Sequence, residues 1–187
     1  MTYYVSPHYL NDQFGGRYSQ DLSFEEKVAI FADSVRGWHL DIAELTGRVS
    51  QHSGFAVLSI VVSYFEMIAK NRDGRVRRGQ SERYFKEGLG WVFPSLSAND
   101  AVLHKFYESI RCGLYHEAGT GSGIELTADP KIVMQGSIDG TAITVNPFNL
   151  VQPLQDHFSR YVLELLNPSN TQLRDNFEKR FDHAHGQ

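Results

Sequence analysis

The chain has 187 residues and a mass of 21.2 kDa, with 41% hydrophobic and 21% charged residues. That profile suits one ordinary globular domain and excludes a disordered or collagen-like chain. With 18 Lys and Arg against 22 Asp and Glu the net charge is −4, so no global field gathers nucleic acid or anionic lipid.

The single cysteine, Cys112, excludes an intrachain disulfide framework and suits a reducing compartment. The first residues, Met1 to Pro7, have neither the basic nor the apolar region of a secretory leader. A cytoplasmic protein with no membrane association is expected. Residues 1–22, rich in tyrosine and turn formers, read as an extended arm, and residues 23–187 as a single domain.

From Ser23 the pattern sharpens. Phe24, Val28, Phe31, Val35, Trp38, Ile42, Leu45 and Val49 recur at alternating spacings of four and three. They predict one apolar stripe along a helix of about seven turns, suited to a long helix–helix contact. Ser23 is placed to cap it, with Glu26 at the capping-box position. Gly37 and Gly47 weaken this helix, and a break near Gly47 is one outcome. Phe55 to Ile68 is too long for a strand and predicts a central helix buried by several neighbours. Glu66 inside it needs a partner, because an unpaired buried carboxylate is costly.

Asn71 to Gln80 then reads as a basic loop, Ser81 to Val92 as a short helix stopped by Pro94, and Asn99 to Ala118 as a further helix. Gly119 to Gly123 reads as a flexible linker. The period changes to two from Ile124, and Asp139-Gly140 predicts a tight turn between residues 131–138 and 141–145. A last long helix begins near Asn149, with Pro153 in its first turn, and Leu173, Phe177 and Phe181 suggest a short terminal one. The fold class is mainly α: an up-and-down bundle of four to five helices with a small β-hairpin insertion at about 124–146.

The chemistry is narrowed first by exclusion. The Cys and His spacings do not match a zinc site, and neither a nucleophile elbow nor a phosphate-binding loop occurs, so no metal or cofactor is expected. Cys112 has only His116 nearby to activate it and reads as a structural thiol. The segment Tyr107 to Glu117 places Arg111 and His116 near the end of an amphipathic helix. A guanidinium binds phosphate in a bidentate manner and stabilises developing charge, and an imidazole exchanges protons near neutral pH. The pair therefore suits phosphodiester chemistry. In the alternative reading Arg111 pairs with a core carboxylate such as Glu66, and His116 caps the helix.

Arg111-Cys112-Gly113-Leu114-Tyr115-His116, late in a small helical frame, resembles the HEPN superfamily, whose pattern is an Arg followed after four to six residues by a His. The resemblance covers residues 23–166, with its specific motif confined to Arg111–His116. It implies a four- or five-helix bundle that commonly dimerises. It also implies metal-independent RNase activity or RNA binding in toxin–antitoxin and other defence systems, with an antitoxin or other protein as a further partner. Arg111 and His116 match the catalytic pair, whereas Cys112 stands where active members often carry Asn, Asp or His. The alternative within the same fold is a non-catalytic interaction module or a nucleotide-binding protein.

On a regular helix Arg111 and His116 lie roughly 140° apart, so a joint site needs a distorted helix or a second chain. A homodimer with the 104–116 faces opposed supplies the latter. The polar stripe His104, Glu108, Arg111 and Tyr115 would support such a cleft, together with Glu66. Lys70 to Glu87 holds seven Lys and Arg against three Asp and Glu, with Tyr84, Phe85 and Trp91 close by. Arg75, Arg77 and Arg78 are its candidate RNA-binding residues, since cations beside aromatics suit a phosphate backbone and stacked bases. A solvated connector is the plainer reading.

Overall fold

The structure, a computed structural model, describes residues 2–15, 19–75, 78–117 and 119–185. In chain order the elements are β1 (Tyr4–Ser6), β2 (Tyr9–Leu10), α1 (Phe24–Val35), α2 (Asp41–Val49), α3 (Gly54–Asp73), α4 (Ser81–Val92), α5 (Asp100–Phe106), α6 (Gly113–Glu117), β3 (Ile124–Leu126), β4 (Met134–Gly136), β5 (Ile143–Val145), α7 (Pro147–Leu166) and α8 (Thr171–His185). The protein is mainly helical with a small β insertion. Two π-turns, Arg36–Leu40 and Tyr107–Cys112, link α1 to α2 and α5 to α6. The chain divides into two compact units, residues 1–42, 70–77 and 155–187 in the first and 43–69 and 78–154 in the second.

In the first unit, α1 begins as its capping signal predicts. Glu26 N donates to Ser23 Oγ (3.2 Å) and Ser23 N donates to the Glu26 carboxylate (2.7 Å), which satisfies two free helix-end donors. The long stripe holds only as far as Val35. A π-turn spends one extra residue per turn, so the next buried positions after Val35 are Leu40 and Ala43. Trp38, Ile42, Leu45 and Val49 are consequently exposed, and the interruption falls at residues 36–40, whereas Gly47 stays helical.

Lys27 of α1 is 1% exposed, its ammonium 2.7 Å from Glu178 and 3.0 Å from Asp182 of α8. Burial works against that charge, and the two carboxylates outweigh it, raising the pKa above its ordinary value. Around this pair Phe31 meets Phe158, Tyr161 and Phe177 edge to face, and Arg72 lies over Tyr161 while pairing with Glu164 at 2.6 Å. His157 is buried, and burial together with Arg72 and Arg160 lowers its pKa to about 4. The N-terminal arm is a small antiparallel ribbon of β1 and β2. Asp33 pins it by accepting from Ser6 Oγ (2.6 Å) and the backbone N–H of His8 (2.8 Å).

The second unit is built on α3, whose Val57, Leu58, Val61, Val62, Phe65 and Ile68 are all fully or almost fully buried. This helix is long and apolar enough to cross a membrane by length and composition, yet 56% of its apolar window is buried inside the protein, as in a core helix. Phe65, Phe85 and Phe106 form a ring cluster with centroids 5.4 to 6.3 Å apart. α4 approaches α3 so closely that a Cβ at Gly88 would lie 2.0 Å from the Phe65 carbonyl oxygen. Residues 124–145 form three strands in the order β3-β5-β4, with β4 antiparallel and β3 parallel to β5. The predicted hairpin is thus β4–β5, its turn closed by Asp139, which accepts from Ser137 and Thr141 and titrates at about 2 because of those bonds.

α7 starts earlier than expected. Asn146 accepts from Phe148 N (3.1 Å) and Pro147 takes the first helical position, so Pro153 sits inside the helix and beyond its first turn.

Candidate functional site

The helical stretch from Asp100 to Glu117 lies in the second unit and opens with Asn99, whose side chain accepts from Val102 N at 3.2 Å. Lys105, Ser109, Cys112 and His116 face one side of this stretch, whereas Tyr107, Arg111 and Tyr115 gather on another. The structure keeps these two sides apart.

On the first of these sides to consider, Arg111 is 23% exposed and its Nη2 donates to Glu66 Oε2 at 3.3 Å. Glu66 also accepts from Ser81 Oγ at 2.8 Å, so the carboxylate of the apolar helix has the partners its position demands. The guanidinium lies 5.7 Å from the Tyr107 ring and 4.8 Å from the Tyr115 ring. Burial disfavours its charge, and Glu66 more than compensates, so its pKa is raised. Tyr107 shares a hydrogen bond with Cys112, and burial and that thiol push its phenol above the ordinary range. His104 is exposed, held by Glu82 (Nδ1 to Oε1, 2.7 Å) and by Glu108 (Nε2 to Oε1, 3.4 Å).

On the other side lies a cavity of about 530 Å³, a volume that accommodates a nucleotide-sized ligand. Lys105, Glu108, Ser109, Cys112, His116 and Glu117 line it from the helix, and residues 119–122 close it from the loop. The loop is held where a free linker was expected. In the π-turn Gly113 N donates to Ile110 O, which leaves the Ser109 carbonyl to accept from Gly121 N at 2.7 Å. A Cβ at Gly113 would lie 2.7 Å from Gly119 O, so the close approach of loop and helix requires glycine there.

The sequence-predicted residues are therefore divided. Arg111, Glu66 and Tyr115 come together, His116 and Glu108 line the cavity, and His104 bridges Glu108 to α4. Arg111 is absent from the cavity's described lining. The predicted distortion exists, at Tyr107–Cys112, but it serves to hold the glycine loop. Of the basic stretch, Arg72 pairs with Glu164, Arg83 with Glu87 (2.8 Å), and Lys86 with Asp100 (2.5 Å). Arg75 is exposed with Asp73 3.8 Å away, Arg78 is exposed, and Arg77 lies outside the described residues, as does Ala118. The cavity's described lining comes from residues 105–122 alone. Lys105 and Ser109 went unnoticed in the sequence, although their spacing to Cys112 and His116 is a readable helical stripe.

Among the described residues no group of three His, Cys, Asp or Glu side chains could hold a metal ion. Compared with protein family models, curated proteins and solved structures, the chain matches none.

Proposed function

We propose that this protein is a cytoplasmic, HEPN-like helical domain that binds RNA and cleaves it without metal, in the manner of a defence or toxin–antitoxin nuclease. The observation that carries this reading is the placement of His116, an exposed imidazole lining a polar cavity of about 530 Å³ near the end of a helix. An RNA strand brings its own nucleophile, the 2′-OH beside each phosphate, so the chain's task is to move protons and answer charge. Attack leaves a 2′,3′-cyclic phosphate and a 5′-OH end. Arg111 reaches the same cavity only from a second copy, which is the role of a homodimer with opposed 104–116 faces.

The test is incubation of the purified protein with RNA and with DNA of the same sequence, with and without EDTA. RNA is cut, DNA resists, and EDTA has no effect. His116→Ala lowers the rate by about 10²- to 10⁴-fold while the melting curve moves little. Cleavage that survives His116→Ala in a folded protein refutes the reading.

A second reading has its own observation. Arg111, held by Glu66 between Tyr107 and Tyr115, is built like a structural group, which favours a non-catalytic interaction or nucleotide-binding module of the same fold. Nucleotide binding without RNA cleavage supports it.

A further inference from the structure

Among the described residues no guanidinium lines the His116 cavity, and cleavage of a phosphodiester by this route calls for a cation and a second proton-transfer group. Two side chains already in the cavity have the required chemistry. Lys105 is the cation of its described lining, and Glu108 is a carboxylate one turn further along the same face. Glu108 is also the better placed of the two glutamates there. His104 sits 3.4 Å from it and is itself held by Glu82 at 2.7 Å, so a fixed imidazole orients the carboxylate, whereas Glu117 stands at the helix end.

Glu108 and His116 are eight residues apart, at most about 12 Å along the axis, since the wide turn between them rises less per residue than a regular helix. That span accommodates an in-line O–P–O arrangement with a hydrogen bond of about 2.8 Å at each end. An acid and a base must stand on opposite sides of the phosphorus, and this spacing permits it. A carboxylate also accepts from a ribose hydroxyl, which is how a site tells RNA from DNA.

Building on the RNase reading above, we propose that Lys105 and Glu108 complete the His116 site within one chain: Lys105 binds the scissile phosphate and Glu108 accepts the proton of the ribose 2′-OH. In the step, the 2′-O–H bond breaks and its proton passes to Glu108 while the O2′–P bond forms. The P–O5′ bond breaks as the His116 imidazolium gives its proton to O5′. The products are a 2′,3′-cyclic phosphate and a 5′-OH, and no other reactant is consumed.

The experiment pairs binding with turnover. Adenosine 3′-monophosphate and its 2′-deoxy counterpart are titrated into the full chain, read from the His116 ring resonances, and RNA cleavage is measured on the same variants. Wild type binds the ribose form at least 5-fold more tightly than the deoxy form. Lys105→Gln weakens both about 10-fold, and Lys105→Arg restores most of that loss. Glu108→Ala abolishes the ribose preference. Glu108→Gln, which still accepts a hydrogen bond but not a proton, keeps the preference and lowers kcat at least 100-fold. Lys105 is half-buried and Glu108 exposed, so these variants stay folded.

Cleavage that needs His116 but is untouched in Lys105→Gln and Glu108→Gln overturns this proposal and leaves the RNase reading standing. The expected binding pattern without any RNA cleavage supports the Lys105–Glu108 subsite and removes the nuclease reading. Failure of wild type to bind either mononucleotide, or binding unchanged in every variant, overturns the proposal.

Discussion

The two compact units treat charge in opposite ways. In the first, Lys27 is sealed between Glu178 and Asp182, Arg72 is engaged by Glu164 and the Tyr161 ring, and His157 is kept neutral by burial and neighbouring cations. In the second, Arg111 pairs with Glu66 of the core helix, and a mixed set of Lys, Glu, Ser and His faces a cavity. Charge enclosed by its partners holds a fold. Charge facing a ligand-sized space is left open to a ligand. The lesson for this chain is that a helix can carry both kinds on two sides, so residues neighbouring in a motif can serve different ends.

The contrast is broken most forcefully at Lys27. Lys27→Ala leaves two carboxylates without their cation and a void in the core, and should cost about 2–4 kcal/mol in chemical denaturation. Lys27→Met fills the space and lets Glu178 and Asp182, 43% and 32% exposed, turn to water, so it should cost much less. Equal losses in both variants would show that the ion pair itself, and not packing, dominates.

Acid gives the next effect. The His157 pKa lies at about 4 in the folded chain and near 6.5 unfolded, so the unfolded state takes up the proton first as pH falls. Its contribution is complete above about pH 6.5 and is lost as pH falls through 4, at most about 3 kcal/mol. His157→Gln should flatten the fall in melting temperature between pH 6.5 and 4.5, and an unchanged slope would remove His157 from the account.

The smallest expected effect sharpens the second unit. Gly113→Ala should push the glycine loop off the helix, at a cost of about 1–2 kcal/mol. It should weaken adenosine 3′-monophosphate binding while leaving the Phe65–Phe85–Phe106 cluster intact. Near-ultraviolet circular dichroism alongside the titration separates the two.

How much of this was readable in advance depended on distance along the chain. The helix Ser81–Val92 was legible to the residue because Pro94 stops it, and the α1 cap because Ser23 and Glu26 are three residues apart. The slip that exposes Trp38 and Val49 was not, since no residue type marks a π-turn. Lys27 gave no sign of burial, because its partners are 151 and 155 residues away. At the candidate site, the angular divergence of Arg111 and His116 was calculable and is kept in the structure. The Glu66–Arg111 pair was one of the two readings open from the sequence. The closure of the Gly119–Gly123 loop was missed, because it depends on a carbonyl that only a distorted helix leaves open.

The turn at Tyr107–Cys112 also fixes how this protein can change in length. A wide turn is equivalent to one surplus residue in an otherwise regular helix, so deleting a single residue from 107–112 would restore an even ladder. The residues beyond would keep their orientation relative to Asp100–Phe106, because the wide turn had already absorbed the surplus residue. Ser109 O would instead be claimed by the regular ladder, releasing Gly121 and with it the loop that closes the cavity. Point substitutions along this stretch adjust the cavity, but a one-residue deletion dismantles it, so among descendants of this chain the spacing between Lys105 and His116 should vary less than the identity of the residues between them.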